Sequence, residues 1–212
     1  MKTKPKNKKL ASNLTILILA AAAILVAVII GSALQGTHSS APSTGTGTST
    51  APSSLGTGYV IPAFRAMDLQ GNIIDNSFFA KQRLTMVNVW GTFCGPCIRE
   101  MPDLAQLPSV FPSTDFALLG IVADTSFQRT DANKVTEDTA RQQMSAAGAS
   151  YPSIIPDASI MQHLLVSVNF VPTTFFVDRT GTVVGEVLTG SKSKAQWTSI
   201  IQGVLASLPA GS

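Results

Sequence analysis

One stretch limits what this chain can fold into more than any other: Asn88-Val-Trp-Gly-Thr-Phe-Cys94-Gly-Pro-Cys97-Ile-Arg-Glu100-Met-Pro102. Leu84 to Trp90 is an apolar run rich in branched and aromatic side chains that stops at Gly91, which predicts a buried strand. Two cysteines three residues apart follow it, and then a segment with helical spacing. That order puts Cys94 in the first turn of a helix, where unpaired backbone N–H groups and the helix dipole favour negative charge. A thiolate is the nucleophile of disulfide exchange, and this position lowers the cost of forming one near neutral pH. The chain has 2 cysteines in all, both in this motif, and 2 histidines, His38 and His163, both isolated. A structural zinc needs about four ligands, which this set does not supply. A staple closing so short a loop constrains the unfolded chain little. The pair therefore reads as a redox pair.

The 212 residues do not form one globule. Residues 1–9 are a basic head carrying Lys2, Lys4, Lys6, Lys8 and Lys9. Residues 10–34 contain no charge, and Leu14 to Ile30 is almost wholly apolar, long enough to cross a bilayer at about 20 residues per span. Lysines before the span and none just after it predict a cytoplasmic N-terminus and a catalytic domain outside. The competing reading is a cleaved secretory signal ending at Gly31-Ser-Ala33; an uncleaved anchor is favoured because the apolar run exceeds the usual core of a signal. No cysteine directly follows the span, so a lipid-modified anchor is not expected. Residues 35–58, rich in Ser, Thr, Gly and Pro, are expected to be a disordered tether. Residues 59–212 remain as one domain of about 150 residues, enough for a single core. The formal charge of +3 comes from the head; beyond it 10 Lys and Arg face all 12 Asp and Glu, so the domain has no basic footprint for nucleic acid.

Within the domain, Phe64 to Leu69 and Ile73 to Asp75 predict a hairpin around Gly71-Asn72, and Ser77 to Lys81 a helical turn. After the strand at 84–90, a helix from Cys94 to about Leu107 contains Pro102 as an expected kink. Phe116 to Ala123 reads as a second buried strand, making a βαβ unit with parallel strands. A helix spans Asp131 to Ala147, with Asp131 as cap and Gly148 as stop, and another spans Ser159 to Val168. Val171 to Asp178 and Val183 to Leu188 form an antiparallel pair. Lys194 to Leu208 closes the domain as an amphipathic helix with Trp197, Ile200, Ile201, Val204 and Leu205 inward. His163 is expected to be a surface or packing residue. The fold class is α/β: a central mixed β-sheet flanked by helices, with an N-terminal β-hairpin extension.

Cys94-Gly95-Pro96-Cys97 after a strand, with Val171-Pro172-Thr173 and a hairpin further on, resembles the thioredoxin fold. Trp90 to Pro102 as a whole is similar to the TlpA/ResA-like branch of membrane-anchored thiol–disulfide oxidoreductases, over about Val60 to Leu208. The resemblance implies that Cys94 is the exposed attacking thiol and Cys97 the buried resolving thiol. It implies that Pro172 is a cis-proline facing the pair, and that Glu100, one helical turn beyond Cys97, is its proton acceptor. Substrate contacts then fall to Trp90, Phe93, Gly95, Pro96, Val171 and Thr173. No cofactor is implied beyond the redox-active Cys94–Cys97 disulfide. Implied partners are client proteins with disulfides, apocytochrome c among the candidates, and a membrane thiol reductant of the CcdA/DsbD type. Two positions depart from related patterns: Asn88 stands where thioredoxin has a buried aspartate, and Phe93 where tryptophan is usual. Three other readings stay open at this point: a disulfide-forming oxidase, a peroxiredoxin-like thiol peroxidase, and a redox-responsive binding module. The peroxidase pattern has Thr three residues before its cysteine, whereas here Gly91 holds that place and Thr92 is one position off.

Overall fold

A computed structural model describes residues 54–209; the proposed head, membrane span and most of the tether lie outside them. Seven strands form one sheet: β1 (Arg65–Asp68), β2 (Ile73–Asp75), β3 (Leu84–Trp90), β4 (Phe116–Val122), β5 (Ser153–Ile155), β6 (Thr173–Asp178) and β7 (Val183–Thr189). Their spatial order is β2-β1-β5-β4-β3-β6-β7. β3, β4 and β5 run parallel, and the flanking pairs are antiparallel. The N-terminal hairpin is thus not an appendage: β1 pairs with β5 and extends the sheet.

The continuous apolar runs of β3 and β4 follow from burial on both faces. Alternate residues serve opposite layers. Leu84, Met86 and Trp90 of β3 join Phe116, Leu118 and Val122 of β4 in one core, with Leu104, Met144, Trp197 and Ile201 from the helices. Val87, Val89, Leu119 and Ile121 point to the other face, against Phe64, Phe79, Leu164 and Phe175. Three helices pack on the first core: α1 (Gly95–Gln106), α2 (Asp131–Ala146) and α3 (Lys194–Ser207). Among the described residues no helix is long and apolar enough to cross a membrane.

Three local expectations are corrected. Cys94 is the N-cap of α1 rather than a residue of its first turn; its φ of −88° and ψ of 95° are extended, and the helix opens on Gly95 and Pro96. A proline there costs nothing, since the first helical N–H groups lack partners in any case. Thr130, not Asp131, caps α2: its hydroxyl accepts from the Asn133 amide at 3.2 Å, and Asp131 is the first helical residue. The segment at 159–168 is a π-helical turn, Ile160–Leu164, followed by a 3-10 turn, Leu165–Ser167. Ile160 and Leu164 still face inward together, which is why their spacing resembles that of an α-helix. His163 is exposed.

Candidate active site at the N-terminus of the first helix

β3 delivers the chain to the site and α1 carries it away. Trp90, the last residue of β3, is fully buried, and its indole N–H donates to the hydroxyl of Ser153 at 2.9 Å. The next loop is clamped by Asp124, whose carboxylate accepts from the Thr92 amide at 3.0–3.1 Å and from the Thr92 hydroxyl at 2.5 Å. Gln143 of α2 donates to the Thr92 carbonyl from the other side. At Gly91 a Cβ would sit 2.7 Å from the outer edge of the Phe93 ring, so glycine lets that exposed ring rest against the loop. The loop is therefore fixed before it reaches Cys94, while Phe93 stands out from it at 74 % exposure.

Cys94 and Cys97 are joined in a disulfide. Cys94 Sγ accepts from the Cys97 amide at 3.2 Å, so one of the unpaired N–H groups at the start of α1 points at this sulfur. On its other side the Val171 carbonyl oxygen is 3.5 Å away. In the disulfide that sulfur carries no proton, so the approach is a close contact and not a hydrogen bond. The Val171–Pro172 peptide bond is cis, and the Pro172 carbonyl accepts from the Gly190 amide at 2.9 Å.

The exposed thiol implied for Cys94 is corrected: the residue is only 5 % exposed, against 2 % for Cys97. Its neighbours Phe93 and Phe170, at 74 % and 72 %, take the solvent-facing positions instead. They belong to a groove of about 460 Å³ that runs past Ala123, Leu165, Val168 and Val171 and has no charged side chain in its wall. Trp90 and Thr173 are corrected likewise. Both are buried, and their polar groups are engaged, Trp90 with Ser153 and the Thr173 hydroxyl with the Phe170 carbonyl at 2.7 Å. Their side chains have no face for a substrate and support those that do. Gly95 is half-buried, Pro96 is exposed and Val171 is partly exposed, so these three do reach the surface beside the disulfide.

Glu100 lies one turn beyond Cys97 on the same buried face of α1 and is 3 % exposed. Its Oε1 accepts from the Trp197 indole N–H at 2.6 Å and the Lys192 amide at 2.7 Å; Oε2 is buried and has no hydrogen-bond partner. Burial pushes its carboxyl above the ordinary carboxylate range, and the two N–H donors offset this only in part. Tyr151 is buried nearby with its hydroxyl unpartnered, and burial together with the Glu100 charge raises its phenol. Asn88 donates to the Thr174 hydroxyl at 3.0 Å in the sheet. Asp124, Lys192 and Trp197 as partners of the site have no signal in the sequence, because each acts across a long chain separation. Among the described residues no cluster of three His, Cys, Asp or Glu side chains gathers as a metal site.

A dithiol–disulfide pair at a helix N-terminus in a thioredoxin-like fold defines the class: this is a thiol–disulfide oxidoreductase, with the Cys94–Cys97 disulfide as its redox centre. Residues 57–185 match the AhpC/TSA family, and the chain belongs to it. It is 27 % identical over 143 residues to the thiol-disulfide oxidoreductase ResA of Bacillus cereus, covering 68 % of this chain and 75 % of that one. It is 31 % identical over 144 residues to protein FixW of Rhizobium leguminosarum, covering 62 % of this chain and 60 % of that one. A thioredoxin-family thiol:disulfide interchange protein of Chlorobium tepidum shares the fold, with a TM-score of 0.56 at 23 % identity over 69 % of this chain and 95 % of that one.

Proposed function

We propose that this protein is an extracytoplasmic reductase of protein disulfides, held at the membrane by residues 10–34 and reaching its clients on the tether at 35–58. The observation that carries the reading is the arrangement around one sulfur. Cys94 Sγ sits between the Cys97 amide and the Val171 carbonyl, and a buried carboxyl, Glu100, lies a turn further along α1.

In the reduced enzyme, the Cys94 thiolate attacks one sulfur of a client disulfide. The S–S bond of the client breaks, its other sulfur leaves as a thiolate, and a mixed disulfide forms. Cys97 gives its proton to Glu100 and attacks Cys94 Sγ; the second client sulfur leaves as a thiolate. The client gains two electrons and, from solvent, two protons, and the enzyme is left with the Cys94–Cys97 disulfide. Outside the cytoplasm thiol pools do not restore the dithiol. The resemblance to TlpA/ResA-like proteins suggests a membrane dithiol carrier of the CcdA/DsbD type, with apocytochrome c cysteines among the clients. Phe93, Gly95, Pro96 and the Val171 backbone supply the contact surface, and Pro172 shapes it. The Gly-Pro dipeptide between the cysteines favours the reducing direction over disulfide formation, because that dipeptide contributes to the potential.

Membership of the AhpC/TSA family makes a thiol peroxidase the second reading, and the loop argues against it. Residue 91 is glycine, and the Thr92 hydroxyl is committed to Asp124 at 2.5 Å. The test is capture. In Cys97→Ser the mixed disulfide has no resolving thiol and accumulates; mass spectrometry of the adduct identifies the client. Absence of any disulfide-linked adduct in cells, with Cys94 intact, overturns the proposal.

A further inference from the structure

Glu100 is held by residues nearly a hundred positions away. The Trp197 indole N–H and the Lys192 amide both donate to Oε1, at 2.6 and 2.7 Å, and neither touches Oε2. These donors are themselves fixed. Trp197 is fully buried one turn into α3, whose start is locked by a reciprocal Ser193–Gln196 capping box. Lys192 Nζ donates to the Thr189 and Gly190 carbonyls and lies 5.0 Å from the centre of the Trp197 ring. An oxygen accepting two N–H bonds has both lone-pair directions used, whereas Oε2 makes no hydrogen bond to the protein.

We propose that Trp197 is a positioning residue for the resolving step: with the Lys192 amide it fixes the Glu100 carboxyl so that the proton from Cys97 is carried on Oε2, and it sets the pH range in which that step runs. This rests on the reading of Glu100 as the acceptor of that proton. The Cys97 S–H proton goes to Oε2 and its electron pair forms the bond to Cys94 Sγ. The client sulfur departs with the electrons of the broken bond, and Glu100 later returns the proton to solvent.

Hydrogen bonds from N–H groups favour the ionised carboxyl, and burial opposes it. The Trp197 donor therefore keeps the acceptor ionised at lower pH than burial alone would permit. The other charged or titratable groups around Glu100 are Lys192, Asp103, Arg99 and Tyr151. All are left intact by a change at Trp197.

The experiment mixes the reduced full-length protein with one equivalent of 5,5′-dithiobis(2-nitrobenzoate) and follows the second thionitrobenzoate released, which reports resolution by Cys97, across pH. In Trp197→Phe the midpoint of the rate profile moves up by about one pH unit, the size expected for one lost hydrogen bond to a charged group. Placing 3-benzothienylalanine at position 197, which keeps the indole shape and lacks only the N–H, gives the same shift and carries the test if Trp197→Phe does not fold. A midpoint unmoved in a folded variant overturns the positioning role. Glu100→Gln separates the two levels. If the pH step survives in Glu100→Gln, the acceptor reading fails. If the step vanishes there while the position 197 variants stay unshifted, only the role of Trp197 fails.

Discussion

Trp90 and Ser153, 63 residues apart, meet through a single hydrogen bond in the core, from indole Nε1 to Oγ at 2.9 Å. The contact depends on Gly120 of β4, which pairs with Ser153; a Cβ at residue 120 would run into the Ser153 hydroxyl and lie 3.3 Å from its Cα. Because Trp90 ends the strand that feeds the cysteine loop, this three-residue unit sets the floor of the active site.

Ser153→Ala strands the Trp90 N–H in the core and is expected to destabilise the protein by about 1–3 kcal/mol, the cost of an unsatisfied buried donor. Gly120→Ala forces the Ser153 side chain off its position and should cost about as much through overpacking. Chemical denaturation of the oxidised protein measures both. Wild-type stability in either variant would show that the unit does not support the loop.

Asp124 makes three hydrogen bonds to one residue, Thr92. Asp124→Ala should loosen the loop before Cys94, lowering stability by about 1–3 kcal/mol, scaled down for partial exposure. It should also slow attack of Cys94 on a disulfide more than it slows resolution by Cys97, since Cys97 is held by α1. Stopped-flow kinetics separate the two steps; equal slowing contradicts the assignment.

The Glu100 carboxyl gives a pH dependence whose sign is fixed by its burial. Its folded pKa is raised above the ordinary value of 4.5, so the folded protein keeps a proton that the unfolded chain has released. The stability this group contributes is complete below pH 4.5 and is lost as pH rises through the folded value. Glu100→Gln does not titrate and still offers an oxygen to Trp197 and Lys192. It should match the wild type below pH 4.5 and be the more stable protein at neutral pH, as read by thermal unfolding at both. A wild type as stable as the variant at neutral pH goes against a raised carboxyl.

Phe93 is exposed and tests the rim alone. Phe93→Ala should leave stability within about 0.5 kcal/mol, as for a surface change without a special role. In a Cys97→Ser background it should reduce the yield of trapped client several-fold, since aromatic anchors at the centre of an interface carry much of its affinity. An unchanged yield removes Phe93 from the contact surface.

Much of this architecture is legible in the sequence, because strands buried on both faces read as unbroken apolar runs and β3 and β4 lie within them. The cysteine pair and its helix are legible for the same reason: the motif is local. What escaped was the partner of each local feature. Nothing near Glu100 in the chain announces Trp197 or Lys192, which arrive 97 and 92 residues later. Trp197 was readable as a core residue from its helical spacing, but not that its N–H is spent on a carboxylate. Trp90 lies beneath the loop and not among the substrate contacts, a distinction that proximity to the motif in the chain does not carry. The cap of α2 slipped by one residue because Thr130 and Asp131 are both good caps, and only the Asn133 amide decides between them.

Cys94 is buried within the disulfide while Phe93 and Phe170 stand out to solvent near it, and this contrast bears on what can reach the bond. Under the proposed function, a client that lays an apolar segment across Phe93 and Phe170 would bring its own disulfide up to the Cys94–Cys97 pair along a wall that carries no charge.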